Sequence, residues 1–207
     1  MDKSSQMKLI FISGPSGSGK TTLSNQILVK NKNGIVLSTD NYYKTGLITK
    51  ILSTTIKGYF DRSISFNYEL FRKDFNLIIN NGISIYERSY NFQKQIVNNS
   101  LKETKNIEYL IVEGIFAKEF SSTLNNNNYS FIELKINKKE CLNRAIKRDL
   151  INRGKDKNKA KKDFLNSWDI YYAKWQNKYK GEKKNEFIFT RKTNIDKLLQ
   201  EIFNLNS

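Results

Sequence analysis

The segment from Gly14 to Thr21 combines the residue types and the spacing that bind phosphate groups. It satisfies the pattern G-x-x-x-x-G-K-[ST], whose lysine and hydroxyl residue are Lys20 and Thr21. Glycines let consecutive backbone N–H groups turn toward a phosphate, and the positive end of a following helix adds to the attraction. In such a loop the lysine reaches the β and γ phosphates, and the hydroxyl binds Mg²⁺. We predict a site for a nucleoside triphosphate and Mg²⁺ made by Gly14, Ser16, Gly17, Ser18, Gly19, Lys20, Thr21 and Thr22.

Two carboxylates follow predicted strands and could serve the same site. Asp40 lies 20 residues beyond Lys20, where it could accept a proton from an attacking alcohol. Glu113 ends a second predicted strand, and an acidic group there suits the magnesium side of the nucleotide. The structural alternatives are a turn or cap residue for Asp40 and a solvated strand-end charge for Glu113.

Further cations lie on and after a predicted helix. Arg144, Arg148 and Arg153 occupy different registers of this segment, and Lys155 follows them. Arginines from a mobile segment could neutralise the charge that develops on a transferred phosphoryl group. The alternative is a basic helix face that only contacts solvent.

The composition excludes several kinds of active site. The 207 residues include no histidine and a single cysteine, Cys141. Without an imidazole there is no Ser-His-Asp triad, no Cys-His pair and no histidine-ligated zinc, so a general base must be a carboxylate or a lysine. One thiol forms neither an internal disulfide nor a four-cysteine metal site, which fits a reducing cytoplasm.

The elements that would position these residues alternate between strands and helices. Apolar, β-favouring runs predict strands at Lys8–Ser13, Ile35–Ser38, Tyr109–Glu113, Tyr129–Ile136 and Phe187–Thr190. Helical spacing predicts helices at Thr22–Lys30, Asn67–Asn81, Lys138–Asn152, Phe164–Tyr179 and from Ile195 onward. Alternation over Ile83–Glu87 indicates a small antiparallel lobe. Residues 41–60 show no clear period and are expected to form loop with some helix. This order predicts an α/β fold, with a parallel sheet covered by helices on both faces and a ligand site at the strands' carboxyl ends.

The net charge of +16 has two interpretations. A surface with 36 basic residues could bind a polyanion by counterion release, and aromatic residues on the predicted helix at 164–179 could stack bases. Only 7 of the basic residues are arginine, so the alternative for the charge is a solvated lysine surface. The alternative for the aromatic residues is a buried helix face. These aromatic residues are Phe164, Trp168, Tyr171, Trp175 and Tyr179. No apolar run approaches the roughly 18 residues of a spanning helix, so we expect no membrane partner.

Four sequence blocks together resemble the uridine kinase and phosphoribulokinase family. They occur in the family's order over roughly residues 8 to 156: Gly14–Thr22, Ser38–Lys44, Ile111–Ile115, and Arg144–Asp149 with Asn152–Lys155. The resemblance implies one phosphate-loop kinase domain, residues 1–207, with a five-stranded parallel sheet and a small substrate-facing β lobe. It also implies a substrate-binding insertion at about 41–106 and a basic lid at about 144–160.

The resemblance further implies roles for individual residues. Asp40 matches the family's catalytic base and Glu113 its acidic residue near magnesium, with ATP as the phosphoryl donor. The lid cations correspond to Arg148, Arg153 and Lys155. Asp61 is the candidate ribose ligand, and the base pocket corresponds to Tyr90, Phe92 and Gln95.

Three departures from the family pattern fall on the substrate side. The His-Pro pair expected after Asp61 is missing, the base-contacting histidine is Gln95, and an expected second arginine is Ala145. Gln95 can still donate and accept hydrogen bonds at a pyrimidine edge. Loss of a charged ribose ligand weakens binding by about 1.5 to 3 kcal/mol unless another group replaces it.

These residues lead us to expect an ATP-dependent kinase that phosphorylates a hydroxyl group of a small metabolite. The leading acceptor is the 5′-hydroxyl of uridine or cytidine; the alternatives are another nucleoside, a sugar phosphate or a pantothenate-like acid. Two hypotheses of other classes are a nucleic-acid-binding phosphate-loop protein and a nucleotide-binding regulator without catalysis. Intact Lys20, Thr21 and Asp40 argue against the regulator. Family members are often oligomeric, so a homo-oligomer stays open.

Overall fold

Strands and helices alternate along the chain in the computed structural model, which describes residues 7–123, 129–176 and 185–204. The strands are β1 (Lys8–Ser13), β2 (Gly34–Ser38), β3 (Ser84–Asn91), β4 (Ile96–Thr104), β5 (Tyr109–Glu113), β6 (Tyr129–Leu134) and β7 (Glu186–Phe189). The α-helices are α1 (Lys20–Lys30), α2 (Leu47–Thr55), α3 (Tyr68–Asn81), α4 (Ala117–Ser122), α5 (Lys138–Asn152), α6 (Lys157–Ile170) and α7 (Ile195–Asn204). Short 3₁₀ turns lie at Thr39–Tyr42, Tyr59–Asp61 and Ser63–Ser65, and a π-helical turn follows α6 at Tyr171–Gln176.

Five of the strands form one parallel sheet in the order β2-β5-β1-β6-β7. Glu113 pairs with Ile12 of β1 on one side and with Ser38 of β2 on the other. Because neighbouring parallel strands end level with one another, the segments that follow them emerge at one edge. The predicted five-stranded parallel sheet is therefore confirmed, and it brings the phosphate loop, Asp40 and Glu113 to the same edge.

Both faces of this sheet are buried under helices. Leu9 and Phe11 of β1 point to one face, Ile10 and Ile12 point to the other, and all four are buried. Side chains of α3 and α4 pack on the Phe11 face, and those of α1, α5 and α7 pack on the Ile12 face. A strand buried on both sides needs a continuous apolar run, which is why Leu9–Ile12 has no alternation.

The segment between β2 and β5 contains α2, α3 and a two-stranded hairpin. The antiparallel hairpin of β3 and β4 is longer than the strand that alternation predicts at Ile83–Glu87. Helix α2 is the helical part of the stretch without clear period, and its Leu47, Ile48 and Ile51 are exposed. The six-residue helix α4 is too short to produce a helical pattern in the sequence.

Helix α6 begins seven residues before the predicted start at Phe164. Phe164 and Tyr171 are buried, so this part of the aromatic stripe is a core face. Tyr179 lies outside the described residues, and of Trp175 only the backbone is described. Within the ranges that the structure describes, no helix combines the length and the apolar character needed to cross a membrane.

Gly114 allows the close approach between the end of β5 and the turn that carries Asp40. Its φ is +136°, and an added Cβ would lie 1.8 Å from Thr39 Oγ1. Gly46 provides a matched control, because its φ is +104° and an added Cβ would meet nothing within 4 Å. We expect Gly114→Ala to lower the free energy of unfolding by about 2 kcal/mol more than Gly46→Ala does, measured by urea denaturation. Equal losses in the two variants would contradict this account of Gly114.

Candidate active site

A cavity of about 620 Å³ opens at the carboxyl edge of the parallel sheet. Nine of the residues to which the phosphate-loop pattern and the resemblance assign roles line it: Ser16, Lys20, Asp40, Asp61, Phe92, Gln95, Arg148, Arg153 and Lys155. The remaining ones lie outside its wall: Gly14, Gly17, Ser18, Gly19, Thr21, Thr22, Tyr90 and Glu113. Residues from the phosphate loop, the Asp40 turn, the hairpin and the segment after α5 thus share one cavity, although more than one hundred positions separate the first from the last.

The phosphate loop is packed tightly against the start of α5. Gly17 has a φ of +76°, and an added Cβ would lie 2.2 Å from the Cys141 carbonyl oxygen, so this position requires glycine. Lys20 Nζ donates to the Gly14 and Pro15 carbonyl oxygens over 3.0 and 3.2 Å. Burial lowers the pKa of Lys20, and the carboxylates of Glu113 and Asp40 counteract that effect. The loop therefore holds a partly desolvated cation at the edge of the cavity.

Thr21 and Glu113 place two oxygen ligands side by side at the start of α1. Thr21 Oγ1 donates a hydrogen bond of 3.2 Å to Glu113 Oε1, and Glu113 is buried. Burial raises the pKa of Glu113, and the neighbouring Lys20 opposes the rise. Mg²⁺ binds hard oxygen atoms and commonly takes one or two carboxylates together with substrate phosphates, so this pair fits it. Among the described residues, no cluster of three carboxylate or thiol groups could hold a metal without phosphates.

Asp40 occupies the 3₁₀ turn that directly follows β2. Tyr43 Oη donates to Asp40 Oδ1 over 3.3 Å. Asn41 Oδ1 accepts the backbone N–H of Tyr90 over 3.1 Å, which attaches the turn to β3. Burial, together with the Asp40 and Asp61 carboxylates, raises the pKa of Tyr43 far above its usual range. Tyr43 therefore stays protonated and remains a donor to Asp40.

A buried ion pair beneath the turn fixes it to the hairpin and to α3. Tyr42 Oη donates to Asp74 Oδ2 over 2.9 Å, and Arg88 Nη2 donates to Asp74 Oδ1 over 2.9 Å. The sequence blocks include Tyr42 and Tyr43 but contain no signal for Asp74 or Arg88, which lie on α3 and β3. Breaking a buried pair leaves one uncompensated charge, so this network resists displacement of the turn.

Asp149 forms ion pairs with three cations at and after the end of α5, a role that the sequence did not reveal. It is buried, and it lies 2.7 Å from Arg148 Nη2, 3.5 Å from Arg153 Nε and 3.1 Å from Lys155 Nζ. Burial by itself would raise the pKa of Asp149, but the three cations overcome that effect and hold the pKa below its usual range. Lys155 also pairs with Asp163 of α6 over 2.8 Å.

Two of these cations reach other walls of the cavity. Arg148 Nη2 donates to Ser16 Oγ over 3.3 Å, which connects α5 to the phosphate loop. The Arg153 guanidinium lies 3.6 Å from the centre of the Phe92 ring, which connects the segment after α5 to the hairpin. Burial and the neighbouring Arg148 lower the pKa of Arg153. The cations thus span the space between the loop and the hairpin.

The opposite wall comes from residues 53–61 and 92–95. Asp61 accepts a hydrogen bond of 2.7 Å from Ser167 Oγ, and burial raises the pKa of Asp61 to about 6. Gln95 Nε2 donates to Ser53 Oγ over 3.5 Å, and Gln95 Oε1 is buried without a hydrogen-bond partner among the described residues. Tyr90 lies behind this wall, where its ring packs against Tyr43 and Phe92.

The family model described as Phosphoribulokinase / Uridine kinase family matches residues 9–179. The uridine kinase of Ureaplasma parvum serovar 3 is 28% identical over 163 residues, which are 77% of this chain and 75% of that protein. The uridine kinase of Staphylococcus haemolyticus is 25% identical over 162 residues, with the same coverage. A D-glycerate 3-kinase structure from Cryptococcus neoformans var. grubii superposes with a TM-score of 0.60 and 15% identity, covering 92% of this chain and 89% of that one. These relatives agree on a phosphate-loop kinase fold.

The Asp149 cluster predicts a large effect from a small substitution. We expect Asp149→Asn to lower the free energy of unfolding by about 3 kcal/mol, because three cations lose their buried counter-charge. Asp169→Asn, an exposed change on α6, is the matched control and should have little effect. Urea denaturation of the two variants measures the difference. Similar stabilities would show that Asp149 is not needed to hold the cations together.

The raised pKa of Asp61 predicts a pH dependence of stability. The folded protein binds the Asp61 proton more tightly than the unfolded chain, whose carboxyl has its ordinary pKa near 3.8. Stability that depends on this proton is therefore present below pH 4 and lost as pH rises through about 6. We therefore expect the free energy of unfolding of Asp61→Asn to rise relative to that of the parent by about 1 to 2 kcal/mol between pH 4 and pH 7. This figure allows for the partial exposure of Asp61. A constant difference across that range would contradict the raised pKa.

Proposed function

The chain belongs to the phosphoribulokinase/uridine kinase family, and on that premise we propose that it transfers the γ-phosphoryl group of ATP to the 5′-hydroxyl of uridine or cytidine. The observation that carries the proposal is the single cavity in which Lys20, Asp40 and the cations around Asp149 face an almost uncharged wall. The uridine kinases among its relatives support the nucleoside acceptor. In this proposal residues 41–106 form the acceptor insertion of one kinase domain, and residues 144–160 form its lid.

In the proposed reaction the phosphate loop binds the donor. Backbone N–H groups of residues 14–19 and Lys20 hold the β and γ phosphates, for which Lys20 leaves the carbonyl oxygens of Gly14 and Pro15. Thr21 and Glu113 would hold Mg²⁺, which would neutralise charge on the donor phosphates when bound. Arg148 and Arg153 offset the negative charge that builds up on the transferred group, and Lys155 contacts the donor phosphates.

Asp40 activates the acceptor hydroxyl in this proposal. It accepts the hydroxyl proton as the oxygen attacks the γ-phosphorus in line, while the hydrogen bond from Tyr43 restrains the Asp40 carboxylate. Asp61 accepts hydrogen bonds from the ribose hydroxyls, and Phe92 and Gln95 face the base. Tyr90 supports Phe92 from behind, since their ring centres are 4.9 Å apart.

Charge favours a neutral acceptor over an anionic one. The basic residues that line the cavity lie on the phosphate loop and between α5 and the middle of α6. The opposite wall, residues 53–61 and 92–95, includes Asp61 as its only charged member among the lining residues described. A carboxylate or phosphate on the acceptor would therefore meet no cation of the wall itself, and of the lining cations described only the Arg153 guanidinium reaches it, at Phe92. A ribose and a base would meet hydroxyl, amide and aromatic groups.

An anionic acceptor is the second candidate, and one observation favours it. Lys50 and Lys94 line a shallow depression that shares Ser53 and Gln95 with the cavity, so an acceptor that extends into it would meet two cations. The structural likeness to a D-glycerate 3-kinase indicates that the fold accommodates such acceptors. A sugar phosphate or a pantothenate-like acid is the corresponding substrate class.

We also weighed a nucleic-acid partner. Phe164 and Tyr171 are buried, so they are unavailable for stacking on bases, and the lysine surface alone would bind a polyanion without specificity. We therefore propose that the partners are small molecules. ATP, a nucleoside and a single reduced thiol all fit the cytoplasm.

Release of ADP, measured with a panel of acceptors, tests the proposed function. We expect uridine or cytidine to give the highest kcat/KM, and Asp40→Asn to reduce kcat by about 10² to 10⁴ with that acceptor. Asp169→Asn is the control for removal of one acidic charge. A higher kcat/KM with glycerate, pantothenate or a sugar phosphate would replace the nucleoside by the anionic class. Turnover near the parent rate in Asp40→Asn would exclude Asp40 as the base while leaving the kinase activity in place.

A further inference from the structure

Helix α6 reaches the proposed acceptor side of the cavity from outside the sequence blocks that mark the site. Ser167 is buried, and its Oγ donates a hydrogen bond of 2.7 Å to Asp61 Oδ1. The two residues are 106 positions apart in the chain, and both line the cavity. Ser167 has the geometry to fix the orientation of the Asp61 carboxylate.

The packing of α6 holds Ser167 firmly in this place. Three residues further along, Ile170 lies against Gly58, where an added Cβ would be 2.3 Å from Ile170 Cδ1. Gly58 precedes the 3₁₀ turn that carries Asp61. Four residues beyond Ser167, the Tyr171 hydroxyl lies 3.5 Å from Ser13 Oγ and 3.4 Å from Glu133 Oε1. Ser167 is therefore held between contacts to the Asp61 turn and to the sheet.

The same face of α6 also contacts the cations after α5. Asp163 precedes Ser167 by four residues, which places it on the same side of the helix, and it pairs with Lys155 over 2.8 Å. Asp163, Ser167 and Tyr171 form one stripe, so the stripe connects the proposed lid, the acceptor wall and the end of β1. The buried hydroxyl of Ser167, in the middle of this stripe, faces the acceptor wall.

The groups around Asp61 explain why a donated hydrogen bond matters at this carboxylate. Burial and the Asp40 carboxylate raise the pKa of Asp61 to about 6, whereas Ser167, Arg153 and Lys155 act in the opposite direction. The Tyr43 hydroxyl also lies close enough to interact with Asp61. An ionised carboxylate acts only as an acceptor at both of its oxygens, whereas a protonated carboxyl uses one oxygen as a donor. Ser167 thus favours the form of Asp61 that can hold two neighbouring hydroxyls.

We propose that Ser167 is a positioning residue for the acceptor, which holds the Asp61 carboxylate ready for the vicinal hydroxyls of a ribose. The proposal rests on the proposed function, because it takes Asp61 as the acceptor ligand. It also identifies a neutral donor to Asp61 in a cavity where Ala145 of α5 stands in place of an expected arginine. The hydroxyl of Ser167 orients the Asp61 carboxylate and favours its ionised form without adding a charge to this wall.

Steady-state kinetics of Ser167→Ala over pH 5 to 9 provides the first test. With the best nucleoside of the acceptor panel, we expect kcat/KM to fall about tenfold at pH 7, because a charge-assisted hydrogen bond is lost. KM for ATP should stay within about twofold of the parent value, and the acidic limb of the nucleoside profile should move to higher pH. Ser167→Thr, which retains the hydroxyl, should restore the parent profile. Ser122→Ala, an exposed serine on α4, controls for removal of a hydroxyl elsewhere.

A double-mutant cycle identifies the partner of Ser167. In Asp61→Asn the contribution of Asp61 to the acidic limb, near pH 6, should disappear, and adding Ser167→Ala should cause little further loss. Equal losses for ATP and for the nucleoside in Ser167→Ala would overturn the proposal, because they would indicate general damage. An unmoved acidic limb, or fully additive losses in the cycle, would overturn it as well.

A measurement that needs no turnover separates this proposal from the proposed function. Titration of the Asp61 carboxyl carbon by NMR should give a higher pKa in Ser167→Ala than in the parent protein, and an unchanged pKa would overturn the role of Ser167. If no nucleoside accepts a phosphoryl group while the Asp61 pKa still rises, the acceptor assignment fails, and with it the role of Ser167 toward a ribose. The contact between Ser167 and Asp61 would survive that result.

Discussion

Several cations face one cavity, and holding them together before a polyanion binds is the electrostatic constraint on which the rest of the site depends. Like charges in a half-buried space repel one another more strongly than they would in water. The buried carboxylate of Asp149 offsets this repulsion, because it contacts Arg148, Arg153 and Lys155. Lys20, the remaining cation of the phosphate loop, is satisfied by backbone carbonyl oxygens instead. Each cation is thereby kept near the position where phosphate oxygens would replace its present partners.

The acidic groups at the sheet edge follow from strand geometry. The level ends of β1, β2 and β5 bring Lys20, Asp40 and Glu113 close enough for their charges to affect one another. The Asp40 turn needs more than the strand end to fix it, and its contacts to Asp74 and to the backbone of Tyr90 come from α3 and β3. The hairpin thus supports both the proposed base and the wall opposite the cations.

Local sequence patterns predicted the frame of the site but not the contacts that fix its side chains. The strand, loop and helix around Gly14–Thr21 appear where predicted, since an apolar run, a glycine-rich segment and a helical period are local signals. Asp40 and Glu113 were predictable because they follow strands. Asp149 ends one segment of a sequence block without an assigned role, and Ser167 lies in a segment without a motif, so only tertiary packing identifies their partners. Helix α4 escaped prediction because it has only six residues, and α2 was expected only as some helix within residues 41–60, without bounds.

The resting contact of Lys20 bears on how quickly the site can empty. Its ammonium already has two carbonyl acceptors, so the departure of a nucleotide does not leave this cation without hydrogen-bond partners. When the product leaves, carbonyl oxygens of the loop replace its phosphate oxygens as acceptors for Lys20. The free-energy cost of dissociation is therefore smaller than the number of phosphate contacts suggests. A phosphate loop whose lysine has such partners loses some affinity for the nucleotide and releases it faster.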